Sequence, residues 1–359
     1  MLETILSKLE PKMGFDLNFD QVMDEAEMGF EGSLNQIAVL GLGGCGGGAV
    51  ANLANYALEK GLKGLRLIAA NSDAEALDAC AAPRKIALGP KRVLGFGCGG
   101  DPALGAEAAE ESMDSVLEEL SGAKLVFILA GLGGGTGTGA SMAIAKALSS
   151  VSNPPVIAGL FLLPFGHEGQ RIERAKEAMA SLERYCQSVF PVYNDRLLQR
   201  FPKPVLGDCL RTADDVLLRA VSSVTDLIGR PGGVNVALKD ISKVLGRRGQ
   251  AALGLGEAAG PDRAVKALKM ALRGPFMSGV SLAKAKAALV SVTTDSGALM
   301  GETAFISQAV KNSLGGGCEA VWGMSVDSSL KGTGLMKVAV MATGLPFDQS
   351  FKEPGPKAA

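Results

Sequence analysis

The sequence predicts an α/β protein with a parallel sheet, a long central helix and a smaller second α/β domain. Three observations predict this fold. Apolar strands alternate with helical segments in the first half, glycine clusters follow the strands, and one long helical pattern stands between the halves. The chain has 359 residues, of which 47% are hydrophobic and 20% charged, so it is long enough to bury a sizeable core.

Four strands are predicted in the first half, and helical patterns follow them. The strand segments are IAVLGLGG from Ile37, LRLIAANSD at 65–73, KLVFILAG at 124–131 and PVIAGLFLLPF at 155–165. The helical segments are AVANLANYALEKG, SMAIAKALSS and IERAKEAMASLERY. Parallel strands need crossover connections, so this alternation predicts a parallel sheet with helices on both faces.

Residues 205–228 form the clearest helical pattern, because apolar side chains recur at spacings of three and four. The breaker RPGG ends it at 230–233. Two more helical segments follow, KDISKVLGRRG and DRAVKALKMALRG, with strands at 287–294, 320–327 and 336–344. The expected division is an acidic extension at 1–33, a first domain at 34–204, a central helix at 205–229, a C-terminal domain at 230–345 and a tail at 346–359.

Charge and composition exclude several classes of protein. The net charge of −1 provides no basic field for nucleic acid. The longest apolar run, 154–165, is short for a membrane span, and the N-terminus lacks the features of a secretory signal. We therefore expect a cytoplasmic protein with no direct membrane insertion. The six cysteines show no CxxC spacing and the single histidine is His167, so no side-chain metal site is predicted.

Glycine is the unusual residue, with 48 in the chain. The first cluster, GLGGCGGG at 41–48, satisfies G-x-G-x-x-G through Gly41, Gly43 and Gly46. A strand, a glycine turn and a helix N-terminus together place backbone N–H groups around a phosphate. A merely tight turn and an NAD site remain alternatives at this point. For NAD, the second strand offers Asn71 and Asp73, which come late for the usual spacing.

The second cluster, GLGGGTGTG at 131–139, follows another strand and precedes another helix. It adds the hydroxyls of Thr136 and Thr138 to the backbone donors. A third glycine stretch, GFGCGGDP, lies at 95–102. Two cradles on neighbouring strand ends, with this third stretch, provide donors for a full triphosphate. A dinucleotide enzyme has no use for the second cradle.

The segment GGGTGTG at 133–139 matches the tubulin signature, and the chain from about 34 to 344 resembles the tubulin and FtsZ family, in particular the FtsZ-like GTPases. Further matching motifs follow in the family's order: GLGGCGGGAV, ANSDAEAL, GFGCGGDP, PFGHEGQR, NDRLL, ADDVL and GGVNVALKD. The resemblance implies a GTP-binding domain, a long central helix and a smaller C-terminal domain. It also implies GTP and GDP as ligands, with Mg²⁺.

The resemblance implies a set of nucleotide contacts in this sequence. Those on the glycine loops and the second strand are Gly43, Gly44, Cys45, Gly47, Gly48, Asn71, Asp73, Cys98, Gly99, Gly100, Gly133, Gly134, Gly135, Thr136, Gly137 and Thr138. Glu168 and Arg171 match a ribose- and phosphate-side pair, in a loop one residue shorter than usual. Asn194 and Asp214 match a guanine-reading pair; a helix-capping Asn and a solvated Asp are the alternative. Leu210 stands where an aromatic residue commonly stacks on guanine.

In the family, a second subunit presses its catalytic loop onto the γ-phosphate, which implies a head-to-tail homopolymer. That loop matches GVNVALKD here, with Asn235 and Asp240 as its asparagine and second acid. Its first acid is replaced by Ala237. We therefore expect slow GTP hydrolysis, since losing an acid–base group typically costs 10²–10⁴-fold. The alternative is that Asp240 suffices and hydrolysis is ordinary.

Three interpretations remain open from the sequence. The favoured one is a filament-forming cytoskeletal GTPase with slow hydrolysis; an ordinary cell-division protein and a nucleotide-binding relative that does not polymerise are the others. Only LPFDQSFKEPGPKAA follows Gly344, so the family's usual membrane-adaptor peptide is not expected. The acidic extension is a solvated tail or a substitute docking segment. Cys45 and Cys98 are inert, or redox-sensitive if backbone donors lower their thiol pKa.

Overall fold

The computed structural model describes residues 33–198, 206–229, 234–295, 297 and 299–347, with the side chains of 198, 206–211 and 300 excepted. The expected acidic extension before Ser33, the RPGG breaker and the tail after Phe347 lie outside the described residues. The side chain of Leu210 lies outside them too.

Ten strands in the described part of the chain form one sheet, in the order β3-β2-β1-β4-β5-β6-β7-β10-β8-β9. Their bounds are β1 Ile37–Leu42, β2 Arg66–Asn71, β3 Arg84–Ala87, β4 Leu125–Gly131, β5 Val156–Leu163, β6 Ser188–Tyr193, β7 Gly249–Ala258, β8 Ala287–Thr294, β9 Glu319–Val326 and β10 Met336–Leu345. Strands β1 to β6 are all parallel, which confirms the predicted parallel sheet.

The helices alternate with these strands. Their bounds are α1 Gly43–Glu59, α2 Ala74–Ala79, α3 Pro102–Glu111, α4 Met113–Leu120, α5 Thr136–Ser149, α6 Gln170–Tyr185, α7 Asn194–Leu198, α8 Leu206–Gly229, α9 Leu238–Leu245, α10 Arg263–Arg273 and α11 Met300–Ser313. Three short 3₁₀ turns lie at Pro275–Met277, Leu282–Lys284 and Ser328–Leu330.

Alternate residues of β1 enter two different cores, which shows that both faces of the sheet are covered. Ile37 and Val39 pack with α1, with the central helix α8 and with apolar residues of the second half. Ala38 and Leu40 pack in a second core with residues of α3 to α6. All four side chains are fully buried. A strand buried on both faces carries a continuous apolar run, and this explains the sequence IAVLGL.

The strands of the predicted C-terminal domain continue the sheet of the first half. The two halves join where Ser188 and Val189 of β6 pair with Gly249 and Gln250 of β7. Beyond that point, β7, β10 and β8 are antiparallel neighbours, and β8 and β9 are parallel. The sheet is therefore mixed overall, and mostly parallel.

Helix α8 links the two ends of the molecule. Its 24 residues span about 36 Å. Near its start Asp214 lies beside Gly48 of α1, and at its end Gly229 packs against Leu34, which precedes β1. From Asp214 to Gly229 the helix thus runs from the edge where the parallel strands end to the edge where they begin.

Candidate nucleotide site

Two glycine loops meet at the carboxyl ends of neighbouring strands. Helix α1 begins at Gly43, directly after β1, and helix α5 begins at Thr136, shortly after β4. The loops touch, because a Cβ on Gly43 would lie 3.2 Å from the backbone nitrogen of Gly137. Two helix N-termini therefore converge, and each presents unpaired backbone N–H groups and a positive dipole end to an anion.

The glycines of these loops fall into two groups. Some allow close backbone packing: a Cβ on Gly46 would lie 2.1 Å from the Leu129 carbonyl oxygen, and one on Gly139 would lie 2.0 Å from the Pro102 carbonyl oxygen. Three glycines instead have no described atom within 4 Å of the Cβ position: Gly44 and Gly134 in these loops, and Gly99 in the third glycine stretch. The open glycines are the ones that a ligand's phosphates could approach closely.

The third glycine loop closes over the second. Gly99 and Gly100 both adopt positive φ, of 53° and 82°. Arg174 on α6 donates to the Gly100 carbonyl oxygen at 2.9 Å. Cys98 is buried, and a Cβ on Gly135 would lie 2.7 Å from its Cβ. The loop is therefore held against the start of α5.

The two threonine hydroxyls have different surroundings. The Thr136 hydroxyl lies 2.6 Å from the hydroxyl of Ser72, which follows β2. The Thr138 side chain is 1% exposed, and its oxygen accepts a hydrogen bond of 2.8 Å from the Gly133 N–H. Thr138 thus shapes the loop from inside. Ser72 was missed by sequence reasoning, although its position after a buried strand in ANSDAEAL is a usable signal.

A cavity of about 450 Å³ opens beside the first loop. Predicted site residues line it: Gly43, Gly44, Gly47, Gly48, Asn71 and Asp214. Asn52, Asn55 and Cys80 also line it and were missed. Asn52 and Asn55 follow Gly48 by four and seven residues, which is the spacing of one helix face. Burial raises the pKa of Asp214. The protein alone therefore disfavours the charged form of this carboxylate.

Cys45 does not behave as an activated thiol. Burial, with a smaller contribution from the negative charge of Asp214, raises its pKa to about 12. The raised pKa disfavours the reactive thiolate, which favours the inert alternative for Cys45. Cys98 donates its thiol hydrogen to the Ser72 hydroxyl oxygen at 3.2 Å.

The residues after β2 hold their own turn. Asp73 caps α2 by accepting from the Ala76 N–H at 2.9 Å, and the Asn71 side chain accepts from the Asp73 N–H at 3.3 Å. Both residues lie where β2 ends, at the same edge as the glycine loops. Their side-chain bonds fix the local backbone there.

The loop after β5 brings Glu168 and Arg171 together as an ion pair. The Glu168 carboxylate also accepts from the Phe165 N–H at 2.7 Å. A Cβ on Gly133 would lie 2.6 Å from the Arg171 carbonyl oxygen, so this pair adjoins the second cradle. His167 stacks on Phe165 with ring centroids 5.5 Å apart.

Asn194 begins α7 directly after β6, at the same edge of the sheet. Its side-chain oxygen is buried and has no hydrogen-bond partner among the residues that the structure describes. A buried amide oxygen without a donor is costly, and it fits a ligand that supplies an N–H. Asn194 therefore does not act through its side-chain oxygen as a helix cap.

The predicted catalytic residues lie away from these loops. From Asp214 to Gly229, α8 carries the chain about 22 Å toward the opposite edge of the sheet. Asn235 and Asp240 follow on the next described segment, and α9 ends where the Leu245 carbonyl accepts from Ser188, the first residue of β6. Asp240 is half-exposed and its carboxylate contacts the ammonium of Lys243 at 3.3 Å. Within one chain, the structure does not bring the catalytic pair to the glycine loops.

Within the described ranges, no group of three or more His, Cys, Asp or Glu side chains is arranged to hold a metal ion. None of the helices in that part of the chain combines the length and the hydropathy that crossing a bilayer requires.

Comparison with known proteins identifies the family. The GTPase domain of the Tubulin/FtsZ family matches residues 36–201, and the C-terminal domain of the FtsZ family matches residues 249–346. The cell division protein FtsZ of Haloferax mediterranei is 35% identical over 343 residues, which cover 95% of this chain and 89% of that protein. FtsZ 1 of Archaeoglobus fulgidus is 33% identical over 338 residues, covering 94% and 89%.

A solved structure agrees. The empty FtsZ dimer of M. jannaschii matches with a TM-score of 0.85 and 28% identity, covering 96% of this chain and 98% of that one. The family domains therefore match both halves of the sheet described above. This chain belongs to the FtsZ family of tubulin-like GTPases.

Proposed function

We propose that this GTPase forms cytoplasmic head-to-tail filaments in which each subunit completes the active site of its neighbour, and that it hydrolyses GTP slowly. Filament formation is typical of the family. The observation that carries the proposal is the separation of the parts of the site. The glycine loops stand at one edge of the sheet, and Asn235 and Asp240 follow a helix that runs to the other edge. A second copy stacked in the same direction would bring the two together.

The described contacts fit a guanine nucleotide. The open glycines Gly44, Gly99 and Gly134 would admit the phosphates to the backbone donors, and Arg171 lies beside the second cradle. Asp214 would accept from the N1 and N2 hydrogens of guanine, which offsets its burial. The unpartnered oxygen of Asn194 would accept from a further donor of the ligand. The remaining predicted contacts stay part of this proposal.

We also propose Mg²⁺ as the accompanying ion. Mg²⁺ commonly binds through substrate phosphates and water rather than an all-protein cage, so it needs few side-chain ligands here. When bound, it would neutralise charge that builds on the phosphates. The protein would then supply the loops that orient the triphosphate.

Slow hydrolysis follows from Ala237. This residue occupies the N-cap position of α9, and its side chain makes no capping hydrogen bond. The neighbouring subunit would therefore offer Asn235 and Asp240 to the attacking water, with one carboxylate fewer. Asp240 is also drawn toward Lys243 within its own helix.

The test is phosphate release by assembled protein, with Ala237→Asp compared against Ala237→Asn. Both substitutions provide a side-chain cap for α9, and only the aspartate provides a carboxylate. We expect the aspartate variant to release phosphate at least about tenfold faster than the asparagine variant, within the usual range for an acid–base group. Equal rates in the two variants would refute the role of the missing acid.

Sedimentation with GTP, GDP and no nucleotide tests assembly in parallel. We expect GTP-dependent pelleting in the wild type and in Asp240→Asn, because assembly requires binding but not hydrolysis. Wild-type protein that binds GTP and never pellets would identify a non-polymerising relative. Wild-type hydrolysis equal to that of Ala237→Asp would identify ordinary turnover.

A further inference from the structure

Ser72 stands at the junction of three loops of the nucleotide site. Its side chain is 2% exposed. Its hydroxyl lies 2.6 Å from the Thr136 hydroxyl at the start of α5, and it accepts from the Cys98 thiol at 3.2 Å. Its carbonyl oxygen accepts from the Gly97 N–H at 3.1 Å. One residue at the end of β2 therefore holds the loop at 95–102 and the loop at 131–139.

The direction of these hydrogen bonds follows from the donors available. The Cys98 thiol hydrogen occupies one lone pair of the Ser72 oxygen. The described structure gives the Ser72 hydroxyl hydrogen one acceptor, the oxygen of Thr136. At this distance either hydroxyl can be the donor, and Ser72 is assigned as the donor because its buried hydroxyl hydrogen is then satisfied. The Thr136 hydroxyl hydrogen is then free to point away from Ser72.

Thr136 lies where that free hydrogen is useful. It is the first residue of α5, and a Cβ on Gly43 would lie 3.6 Å from its Cβ, so it faces the meeting point of the two cradles. A hydroxyl that already accepts a hydrogen bond is a better donor, because chains of hydrogen bonds polarise one another. A hydrogen bond from a hydroxyl to a phosphate oxygen is charge-assisted.

We infer that Ser72 is a positioning residue that aims the Thr136 hydroxyl hydrogen at a phosphate oxygen of the bound nucleotide, through the chain Cys98 to Ser72 to Thr136. This inference rests on the proposed role of Thr136 in holding the phosphates. It assigns to Ser72 no contact with the nucleotide itself. It also gives the buried Cys98 thiol a role as the donor at the far end of the chain.

The experiment is a double-mutant cycle on GTP affinity, measured by equilibrium binding to the full chain. We expect Ser72→Ala to weaken GTP binding about tenfold, because the Thr136 hydroxyl then loses its alignment for a hydrogen bond to a charged group. Thr136→Val should weaken binding at least as much. Ser72→Ala added to Thr136→Val should then cost less than a further twofold, because Ser72 acts through Thr136.

Conservative variants separate positioning from a structural role. Ser72→Thr and Cys98→Ser keep the donors and should bind GTP within about twofold of wild type. Ser188→Ala is the matched control, because Ser188 is a fully buried serine like Ser72. The Ser188 hydroxyl donates to the Leu245 carbonyl oxygen at the opposite edge of the sheet. This control variant should lower the melting temperature without changing GTP affinity.

Two results would overturn the inference. One is additive loss in the Ser72 and Thr136 double variant, and the other is GTP binding by Ser72→Ala equal to wild type. If Thr136→Val binds GTP as tightly as the wild type, the proposed phosphate contact is refuted, and the inference with it. The single variants therefore distinguish the two failures.

Discussion

Lys60 donates from its ammonium to both carboxylate oxygens of Asp327, at 2.8 and 3.1 Å. Lys60 follows α1, which begins at the first glycine loop, and Asp327 follows β9 in the second half. The side chains are 18% and 5% exposed. A largely buried ion pair therefore ties the helix of the first loop to the far domain.

Removing the ammonium should destabilise the protein. Lys60→Met leaves the Asp327 carboxylate buried, although Ser329 still donates to it through N–H and hydroxyl. We expect a loss of about 2 kcal/mol in the free energy of unfolding, less than for a fully buried pair. Denaturant unfolding measures it. Lys91→Met, at an exposed lysine, should change stability by less than about 0.5 kcal/mol, and equal effects would contradict the prediction.

Two glycines of the second loop should respond in opposite ways to alanine. A Cβ at Gly139 would lie 2.0 Å from one backbone atom and 2.4 Å from another, so Gly139→Ala should destabilise the fold by about 3 kcal/mol. Gly134→Ala meets open space and should leave the melting temperature unchanged, but it should weaken GTP binding. Unfolding curves and GTP titrations separate the two. Unimpaired GTP binding by Gly134→Ala would remove that glycine from the phosphate site.

Asp214→Asn should stabilise the nucleotide-free protein and weaken GTP binding. Burial raises the Asp214 pKa, so the folded state disfavours the charged form. The protonated carboxyl stabilises the folded state, and this contribution to the free energy of unfolding is complete below the unfolded pKa of about 3.9. It is lost as the pH rises through the raised folded pKa. At neutral pH, the neutral amide avoids that loss. Thermal unfolding at pH 7 without nucleotide, with GTP titration, checks both effects.

The same variant tests base recognition. Xanthosine triphosphate carries a 2-oxo group where guanine carries an amine, so an amide can donate to it. Asp214→Asn should therefore shift the affinity ratio toward xanthosine triphosphate. An unchanged ratio, with both nucleotides bound as in wild type, would mean that Asp214 does not read the base.

Cys45 should resist alkylation in the folded, nucleotide-free protein. Its pKa of about 12 leaves almost no thiolate at pH 8, and the thiolate is the reactive form. Mass spectrometry after iodoacetamide treatment should find Cys45 unmodified, whereas the same treatment in denaturant should modify it. Rapid labelling of the folded protein would contradict the raised pKa.

Much of the fold could be predicted because its strands are buried on both faces. Strand β8 has the bounds expected from AALVSVTT, and β1 and β4 differ from expectation only at their ends. Strand β3 was missed because it has four residues, three of them exposed. Strand β6 was missed because Pro191 interrupts its pattern, and β7 because three of its residues are glycine.

The candidate site was predictable where chemistry is local. Glycine clusters after strands identified the loops, since that composition serves few other purposes. Ser72 was not predictable, because its partners Cys98 and Thr136 lie 26 and 64 residues away and only the sheet brings them together. The raised pKa of Cys45 arises from burial, which local spacing does not reveal.

The narrowest point of the sheet has a mechanical consequence. Strands β6 and β7 share two residue pairs, whereas neighbouring strand pairs share many more. In a filament of the proposed kind, a force that separates the two halves would meet few backbone hydrogen bonds at this seam, whereas α8 packs against apolar residues of both halves and would resist their separation.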